Sequence, residues 1–482
     1  MAWKKRRRYP TSLLISTTLT IIFMASNIAF IHYGLTDESQ GNEELRDVFL
    51  QDRDEIKGLG VQGESVLFSA NSVSDPHLRK LMEDTRASSE DFNKGDALDL
   101  SYHSFLSTHR GLSCDDVRNF TDKEYVASGW TKAVYKVKHK GQEMALKTVD
   151  VTGRDVTTCL KNSGRTLAFC YAKAARKILK EIVLLQGLNH KNVVKVLGYC
   201  VPNKPYDGSP ETEVSMVVEL GTNIDIIRLL QMSWEDRLRV SYGVGQLLHY
   251  IANSPYGSLS LNDFRRQQFV LVGGEVKLSD VDDVGFEEVT CKKNSDCDVP
   301  FSSANYTIRT HCINQRCFGL NEKKNIFNAG RHFTTFILPH GVPKPLQAHV
   351  NDVIKGFSNA TVNSAELSTM LDTLVHQFSS GFHLNRLDKS DYEAGYECTD
   401  GFDYPGRYDY RCRYSVAGGN CHISVFDQKE AEMLCDKDKD CKGFVMSDQK
   451  SWTGRTIVHI KNNKGLPAKN PRTRLCNKPG SH

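Results

Sequence analysis

No CxxC pair with zinc-ligand spacing occurs anywhere in the chain, so a zinc-finger or zinc-ribbon reading has no donors. No internal repeat and no collagen-like or prion-like tract is present, which excludes solenoids, propellers and fibrous classes. Beyond the N-terminus no basic stripe is interleaved with aromatics, and 62 basic against 58 acidic residues leave a formal net charge of only +4. Nucleic acid is therefore not an expected partner. Cysteine is missing from the first 113 residues, and apolar runs long enough to span a bilayer are missing from everything after the first 34. With 39% hydrophobic and 25% charged residues, the 482-residue chain has ordinary globular composition and room for two or three domains.

What the N-terminus does have sets the compartment. Lys4, Lys5, Arg6, Arg7 and Arg8 precede Leu13 to Ile31, 19 positions without a charge. As a helix they span about 28 Å, close to a bilayer core. Positive charge before the span keeps the N-terminus cytosolic and sends the rest into the lumen. Residues 1–34 are thus expected to form a signal-anchor, with Ala25 and Ser26 leaving a cleavable signal peptide as the alternative. All 14 cysteines begin at Cys114, an even number on the lumenal side, which predicts a disulfide framework. Three sequons also follow the span, at Asn119, Asn305 and Asn359, and predict N-glycosylation.

Residues 35–112 are polar and lack periodicity, as expected of a stalk. From about Thr121 the pattern changes. Glu124 to Lys138 and Glu143 to Asp150 read as strands joined by a turn at Gly141. An insert at 151–172 carries Cys159 and Cys170. Ala174 to Gln186 has a helical apolar face through Ala175, Ile178, Ile182 and Leu185. Val193 to Leu197 and Val214 to Leu220 read as strands, Trp234 to Ala252 as a helix, and Val270 to Leu278 as a hairpin turning at Gly273-Gly274. Strands with one helix followed by a mainly helical half predict an α+β, two-lobed protein-kinase-like fold. Its expected limits are 113–386, with the lobes meeting near Gly221. Residues 390–482 hold six of the cysteines and read as a separate disulfide-rich module. There Glu430 to Cys435, Cys441 and Gly443-Phe-Val445 resemble the helix and strand of a PAN/apple domain.

Phosphoryl transfer needs phosphates and metal held in place and a base beside the acceptor hydroxyl. Candidates for each part stand in kinase order. Val126-Ala-Ser-Gly-Trp-Thr-Lys-Ala-Val-Tyr-Lys-Val137 resembles a glycine-rich loop that keeps only Gly129; Ala127 and Lys132 fill the other glycine positions. Gly129, Lys132 and Val134 are its nucleotide-facing candidates, with Lys132 offering a charge where backbone amides would otherwise serve. Ala145-Leu-Lys147 resembles the VAIK strand end, so Lys147 is expected to hold phosphates and Glu181 to pair with it. The run from Glu181 to His190-Lys-Asn-Val-Val closely resembles a kinase helix C and the strand after it. Met216-Val-Val-Glu-Leu-Gly221 resembles a hinge, with Val218 as gatekeeper and Glu219 and Gly221 toward adenine.

Leu261-Asn-Asp-Phe-Arg-Arg-Gln-Gln268 aligns with the catalytic loop. Asp263 is the expected proton acceptor, and Gln268 stands where asparagine usually binds metal. In Val276-Lys-Leu-Ser-Asp280-Val-Asp282, Asp280 is the natural metal ligand, and Asp282 replaces a glycine and adds a carboxylate. Hard oxygen donors imply Mg²⁺ or Mn²⁺ alongside ATP. No APE motif follows. Cys291, Cys297, Cys312 and Cys317 lie instead where an activation segment would run, which predicts a braced segment.

Two stretches, from Gly129-Trp-Thr-Lys-Ala-Val-Tyr through Leu261-Asn-Asp-Phe-Arg-Arg-Gln-Gln-Phe-Val-Leu-Val and at Cys317-Phe-Gly-Leu-Asn-Glu-Lys-Lys-Asn-Ile, resemble the vertebrate lonesome kinase family of secreted tyrosine kinases. Asp409-Tyr-Arg-Cys-Arg-Tyr414 and Ser424-Val-Phe-Asp-Gln428 extend the resemblance into the tail. It implies a Golgi-resident and secreted enzyme acting on tyrosines of secretory and extracellular-matrix proteins. Arg265 is compatible with that specificity. Three other readings also fit these residues: a pseudokinase scaffold, a secretory glycan kinase, and a non-enzymatic adhesion protein working through its tail.

Overall fold

The computed structural model describes residues 111–301, 306–384, 395–404, 406–412 and 419–480. The expected anchor at 1–34, nearly all of the stalk, and Asn305 lie outside them. Among the described residues no helix is long and apolar enough to cross a membrane.

A short helix, α1 (Cys114–Arg118), leads into the antiparallel strands β1 (Glu124–Ser128), β2 (Lys132–His139) and β3 (Gln142–Val149). The expected single strand from Glu124 to Lys138 is thus two strands, divided by the loop at 129–131. Lys140 and Gly141, at φ 49° and 86°, make the tight turn between β2 and β3. After the helices α2 (Arg154–Ser163) and α3 (Leu167–Gly187), β4 (Val196–Cys200) and β5 (Ser215–Glu219) complete a sheet ordered β1-β2-β3-β5-β4. Helix α3 begins seven residues earlier than the periodicity predicts. Thr166 caps it by accepting from the Phe169 amide, and Cys170 and Tyr171 continue the face that buries Ala174, Ala175, Ile178 and Ile182. Strand β4 lies three residues later than expected, because Asn192 to Val194 are spent on a junction. Val194 donates to the Leu278 carbonyl at 3.0 Å, and the Asn192 side chain to that of Val276 at 2.8 Å.

Cross-strand pairing places Val134 opposite Lys147 and Ala145 opposite Val218, so these four share one face of the sheet, toward α3 and the cleft. The other face buries Val137, Leu146 and Val217 beneath α1, which a Cys114–Cys200 disulfide ties to β4.

The second lobe follows Gly221. Strand β6 (Thr222–Asn223) and helix α4 (Ile226–Gln231) lead to α5 (Trp234–Ala252), whose limits match the periodicity. Strand β7 (Ser260–Leu261) precedes the hairpin of β8 (Phe269–Val272) and β9 (Glu275–Leu278), turning at Gly273-Gly274. The segment after Asp280 forms β10 (Val284–Gly285), paired back onto β7, and two further hairpins, β11 (Asp298–Phe301) with β12 (Tyr306–Arg309) and β13 (His311–Ile313) with β14 (Arg316–Phe318). Disulfides Cys291–Cys312 and Cys297–Cys317 lock it. Helices α6 (Leu320–Ala329), α7 (Gln347–Asn359) and α8 (Ser364–Ser379) close the lobe, α8 packing along α5.

The tail is a five-stranded antiparallel sheet. Its strands are β15 (Glu397–Asp403), β16 (His422–Val425), β17 (Gly443–Lys450), β18 (Thr456–Lys461) and β19 (Ala468–Asn477), ordered β15-β19-β17-β18-β16. Helix α9 (Gln428–Asp436) packs on it over a core of Val425, Phe444, Val458 and Ile460. Disulfides Cys398–Cys476, Cys412–Cys421 and Cys435–Cys441 staple it, and with Cys159–Cys170 between α2 and α3 every cysteine in the chain is paired. The tail also caps the second lobe. Thr453 and Ser424 donate to the Glu235 carboxylate at the start of α5, Trp452 Nε1 donates to the Glu235 carbonyl at 3.1 Å, and buried Arg455 donates to the Phe378 carbonyl at 2.9 Å.

Candidate functional site

Helix α3 and strand β3 bring Glu181 and Lys147 together: Lys147 Nζ lies 2.5 Å from Glu181 Oε1 and donates to the Ser279 carbonyl at 2.7 Å. Both are buried, Glu181 completely. The helix is also tied to the segment after Asp280, since Lys180 donates to the carbonyls of Asp282 and Val284 at 2.6 and 3.1 Å.

Lys132 stands where a third loop glycine would, and its side chain turns inward. Its Nζ is 2.7 Å from Glu181 Oε2, 2.8 Å from Asp280 Oδ1 and 3.1 Å from Asp282 Oδ2. Two lysines therefore share a buried nest with three carboxylates. Burial works against the Lys132 ammonium, but Glu181, Asp280 and Asp282 outweigh it and hold that lysine well above its ordinary range. Burial likewise opposes the charge of Asp280, yet Lys132 and Lys147 keep its carboxyl well below the usual value. Asp282 goes the other way. Burial, reinforced by Asp280, Glu181 and Asp283, lifts it to about 6 despite Lys132.

Asp263 is held by two neighbours. Arg265 forks onto it, with Nε 2.5 Å from Oδ1 and Nη2 2.5 Å from Oδ2, and Gln268 Nε2 donates to Oδ2 at 2.5 Å. Asp263, Gln268, Asp280 and Asp282 line one cleft. The loop is set from below by buried Asn325 of α6, which accepts from the Leu261 amide at 3.0 Å and donates to the Leu259 carbonyl at 2.7 Å.

Val218 is buried in β5 at the cleft face, and Val134 faces the same side. The side chain of Glu219 is engaged by Lys277 Nζ at 2.7 Å and the Lys195 amide at 2.9 Å, and its own amide donates to the Lys195 carbonyl at 3.2 Å. Gly221 has a packing reason of its own: a Cβ there would come within 2.6 Å of Val270. Gly129 meets no such constraint and donates its amide to the Lys132 carbonyl at 2.9 Å. Asn119 and Asn359 are exposed, as a glycan acceptor must be. Sequence reasoning missed the Arg265–Asp263 fork, the Ser279 carbonyl on Lys147 and the role of Asn325. No short motif marks any of them.

The donor set fits a nucleotide and a divalent cation. Asp280, Asp282 and the amide oxygen of Gln268 are hard donors, and the Lys132 ammonium already rests between Asp280 and Asp282. Lys132 and Lys147 offer two positive charges for phosphates beside the apolar surface of Val134, Ala145 and Val218.

A five-stranded lobe with a lysine–glutamate pair, above a lobe carrying Asp263 and Asp280 on one cleft, defines a protein-kinase-like domain. The family model described as "Protein-kinase domain of FAM69" matches residues 176–359. Over 352 residues the chain is 40% identical to the human "Extracellular tyrosine-protein kinase PKDCC", covering 73% of this chain and 70% of that protein. The chain belongs to the family of that kinase. Shorter stretches are similar to plant kinases of Arabidopsis thaliana. One is 26% identical over 162 residues to "Wall-associated receptor kinase-like 5" (32% of this chain, 18% of that protein). Another is 25% identical over 170 residues to "Probable serine/threonine-protein kinase PBL24" (34% and 38%).

Proposed function

We propose that this chain transfers the γ-phosphate of ATP to tyrosine hydroxyls of secretory-pathway and extracellular-matrix proteins. Asp263, fixed by Arg265 and Gln268 on the same cleft as Asp280, is the observation that carries the reading. Asp263 accepts the proton of the attacking hydroxyl. Lys147, steadied by Glu181, and Lys132 hold phosphate oxygens, while Val134, Val218 and the backbone of Glu219 and Gly221 receive the adenine. Asp280 and Gln268, with Asp282 beside them, are the groups that would hold Mg²⁺ or Mn²⁺. Bound there, such an ion would supply positive charge to the phosphoryl oxygens.

Tyrosine as acceptor, and work in the Golgi lumen and outside the cell, rest on the family and on the name of the human relative. Seven disulfides support an oxidising compartment. The basic cluster and apolar run at the N-terminus support initial attachment to the membrane. Exposed Asn119 and Asn359 are proposed glycosylation sites, with Asn305 as a third on sequence grounds.

One observation favours a second reading, nucleotide binding without transfer: Lys132 occupies the position between Asp280 and Asp282 that a catalytic cation needs. A transfer assay decides between them. The lumenal part, made in an oxidising host, is incubated with ATP and Mn²⁺ or Mg²⁺ on mixed secretory proteins beside Lys147→Met and Asp263→Asn. Phosphotyrosine in the native protein, lost in both variants, is the expected result. Phosphate only on serine, threonine or glycan breaks the specificity, and ATP binding with no transfer establishes the second reading.

A further inference from the structure

The β1–β2 loop lacks two of the glycines that let such a loop settle on phosphates, yet it carries Lys132 into the site. Its tip is held from outside, by the insert between β3 and α3. The Asp155 amide, in the first turn of α2, donates to the Trp130 carbonyl at 3.0 Å. The Asp155 carboxylate accepts from the buried Thr131 hydroxyl at 2.5 Å and from Lys177 Nζ at 2.8 Å. The Asp150 amide donates to the Thr131 carbonyl at 2.8 Å, and the Arg154 guanidinium lies 4.4 Å from the centre of the Trp130 ring. The approach is close enough to require Gly153, where a Cβ would come within 2.7 Å of the Trp130 carbonyl oxygen.

The clamp is anchored to the catalytic helix. Cys159 of α2 is bonded to Cys170 of α3. Lys177, which grips Asp155, lies one turn before Glu181, which grips Lys132 and Lys147. Burial works against the Asp155 charge, but its bonds to Lys177 and Thr131 outweigh that and keep the carboxyl below its usual range.

We propose that Asp155 is a positioning residue for the nucleotide: through Thr131 and the Trp130 carbonyl it fixes the loop, and so the place from which Lys132 meets the phosphates. The device does with a tethered helix what glycine-borne backbone amides do elsewhere. It rests on the nucleotide-binding part of the kinase reading, and its effect falls on ATP affinity rather than on proton transfer.

The test is a titration of the native protein, Asp155→Ala, Asp155→Asn and the Cys159→Ser/Cys170→Ser double variant with a fluorescent ATP analogue, together with KM for ATP and kcat. Losing the bonds to a charged acceptor should weaken nucleotide binding and raise KM about tenfold in Asp155→Ala, with kcat changed far less. Asp155→Asn keeps the acceptor for Thr131 and should recover most of the affinity. The cysteine double variant should weaken binding as Asp155→Ala does. Equal affinity of Asp155→Ala and native protein overturns the inference whether or not phosphate is transferred. So does a parallel fall of kcat and affinity with no recovery in Asp155→Asn, which would mark a structural role. A native protein that binds no nucleotide overturns this inference and the kinase reading together.

Discussion

Lys132 Nζ sits 2.8 Å from Asp280 Oδ1, joining the first residue of β2 to one that follows the second lobe's hairpin. A glycine at position 132 would leave Glu181 paired with Lys147, and would leave Asp280 and Asp282 without an ion-pair partner among the described residues. Lys132 and Asp282, each standing where a kinase motif has glycine, are thus joined in one ion pair at 3.1 Å.

Lys132→Met tests that coupling. Removing one partner of a buried ionic cluster leaves charge uncompensated, at a cost of about 3 kcal/mol. Thermal unfolding in EDTA should show the loss, and Mn²⁺ should recover more stability in this variant than in the native protein, since the carboxylates take a hard cation in place of the ammonium. An unchanged midpoint in EDTA would show that the cluster does not need Lys132.

Asp282 gives a pH signature. Its carboxyl titrates near 6 in the folded protein against an ordinary value of 3.8. The protonated form is favoured by folding, so the associated stability is full below that ordinary value and is lost as pH rises through the folded one. Asp282→Asn cannot lose it. The melting temperature of the variant relative to native protein, without metal, should therefore climb across this window and level off above it. A difference that is flat with pH would contradict the assignment.

Asn325→Ala removes two buried hydrogen bonds beneath the Asp263 loop and strands the Leu261 amide and Leu259 carbonyl. Denaturant unfolding should register a loss of about 1–3 kcal/mol. If the loop is set by this amide, kcat should also fall while KM for ATP holds. A stability loss with full kcat would confine Asn325 to folding.

Arg455 decides whether the tail is an independent appendage. It donates to both carboxylate oxygens of Glu430 at 2.6 Å and lies over the Phe378 ring at 4.2 Å. Arg455→Ala leaves Glu430 without its buried partner, at a cost of about 3–5 kcal/mol. The expected readout is a lower melting temperature for the kinase lobes together with faster proteolysis of residues 397–477. If the tail is cleaved faster while the lobes melt unchanged, the tail is separable.

Much of the fold was legible because it rests on local pattern. The apolar repeat of Trp234 to Ala252 marks a buried helix whatever surrounds it, and the glycines at 273 and 274 can only turn a hairpin. Lys147, Glu181, Asp263 and Asp280 were proposed from order and spacing, and the structure pairs the first two and sets the last two on one cleft. The division of Glu124 to Lys138 into two strands was less visible, since Trp130 and Thr131 have good strand propensity and the turn there is closed by the Gly129 amide on the Lys132 carbonyl and held by Asp155. The start of α3 at Leu167 was within reach, because Cys170 and Tyr171 extend the same face.

By itself, then, the sequence determined the lobes, the basic and acidic residues of the cleft and the disulfide framework implied by an even set of cysteines, because periodicity, turn chemistry and motif order act between near neighbours along the chain. Tertiary structure alone decided what those residues do to one another. It turned Lys132 inward onto Asp280, 148 positions away, forked Arg265 onto Asp263, paired fourteen cysteines one way among many, and seated Arg455 against Phe378. Charge pairing and burial depend on distance in space, and no spacing along a chain encodes that distance.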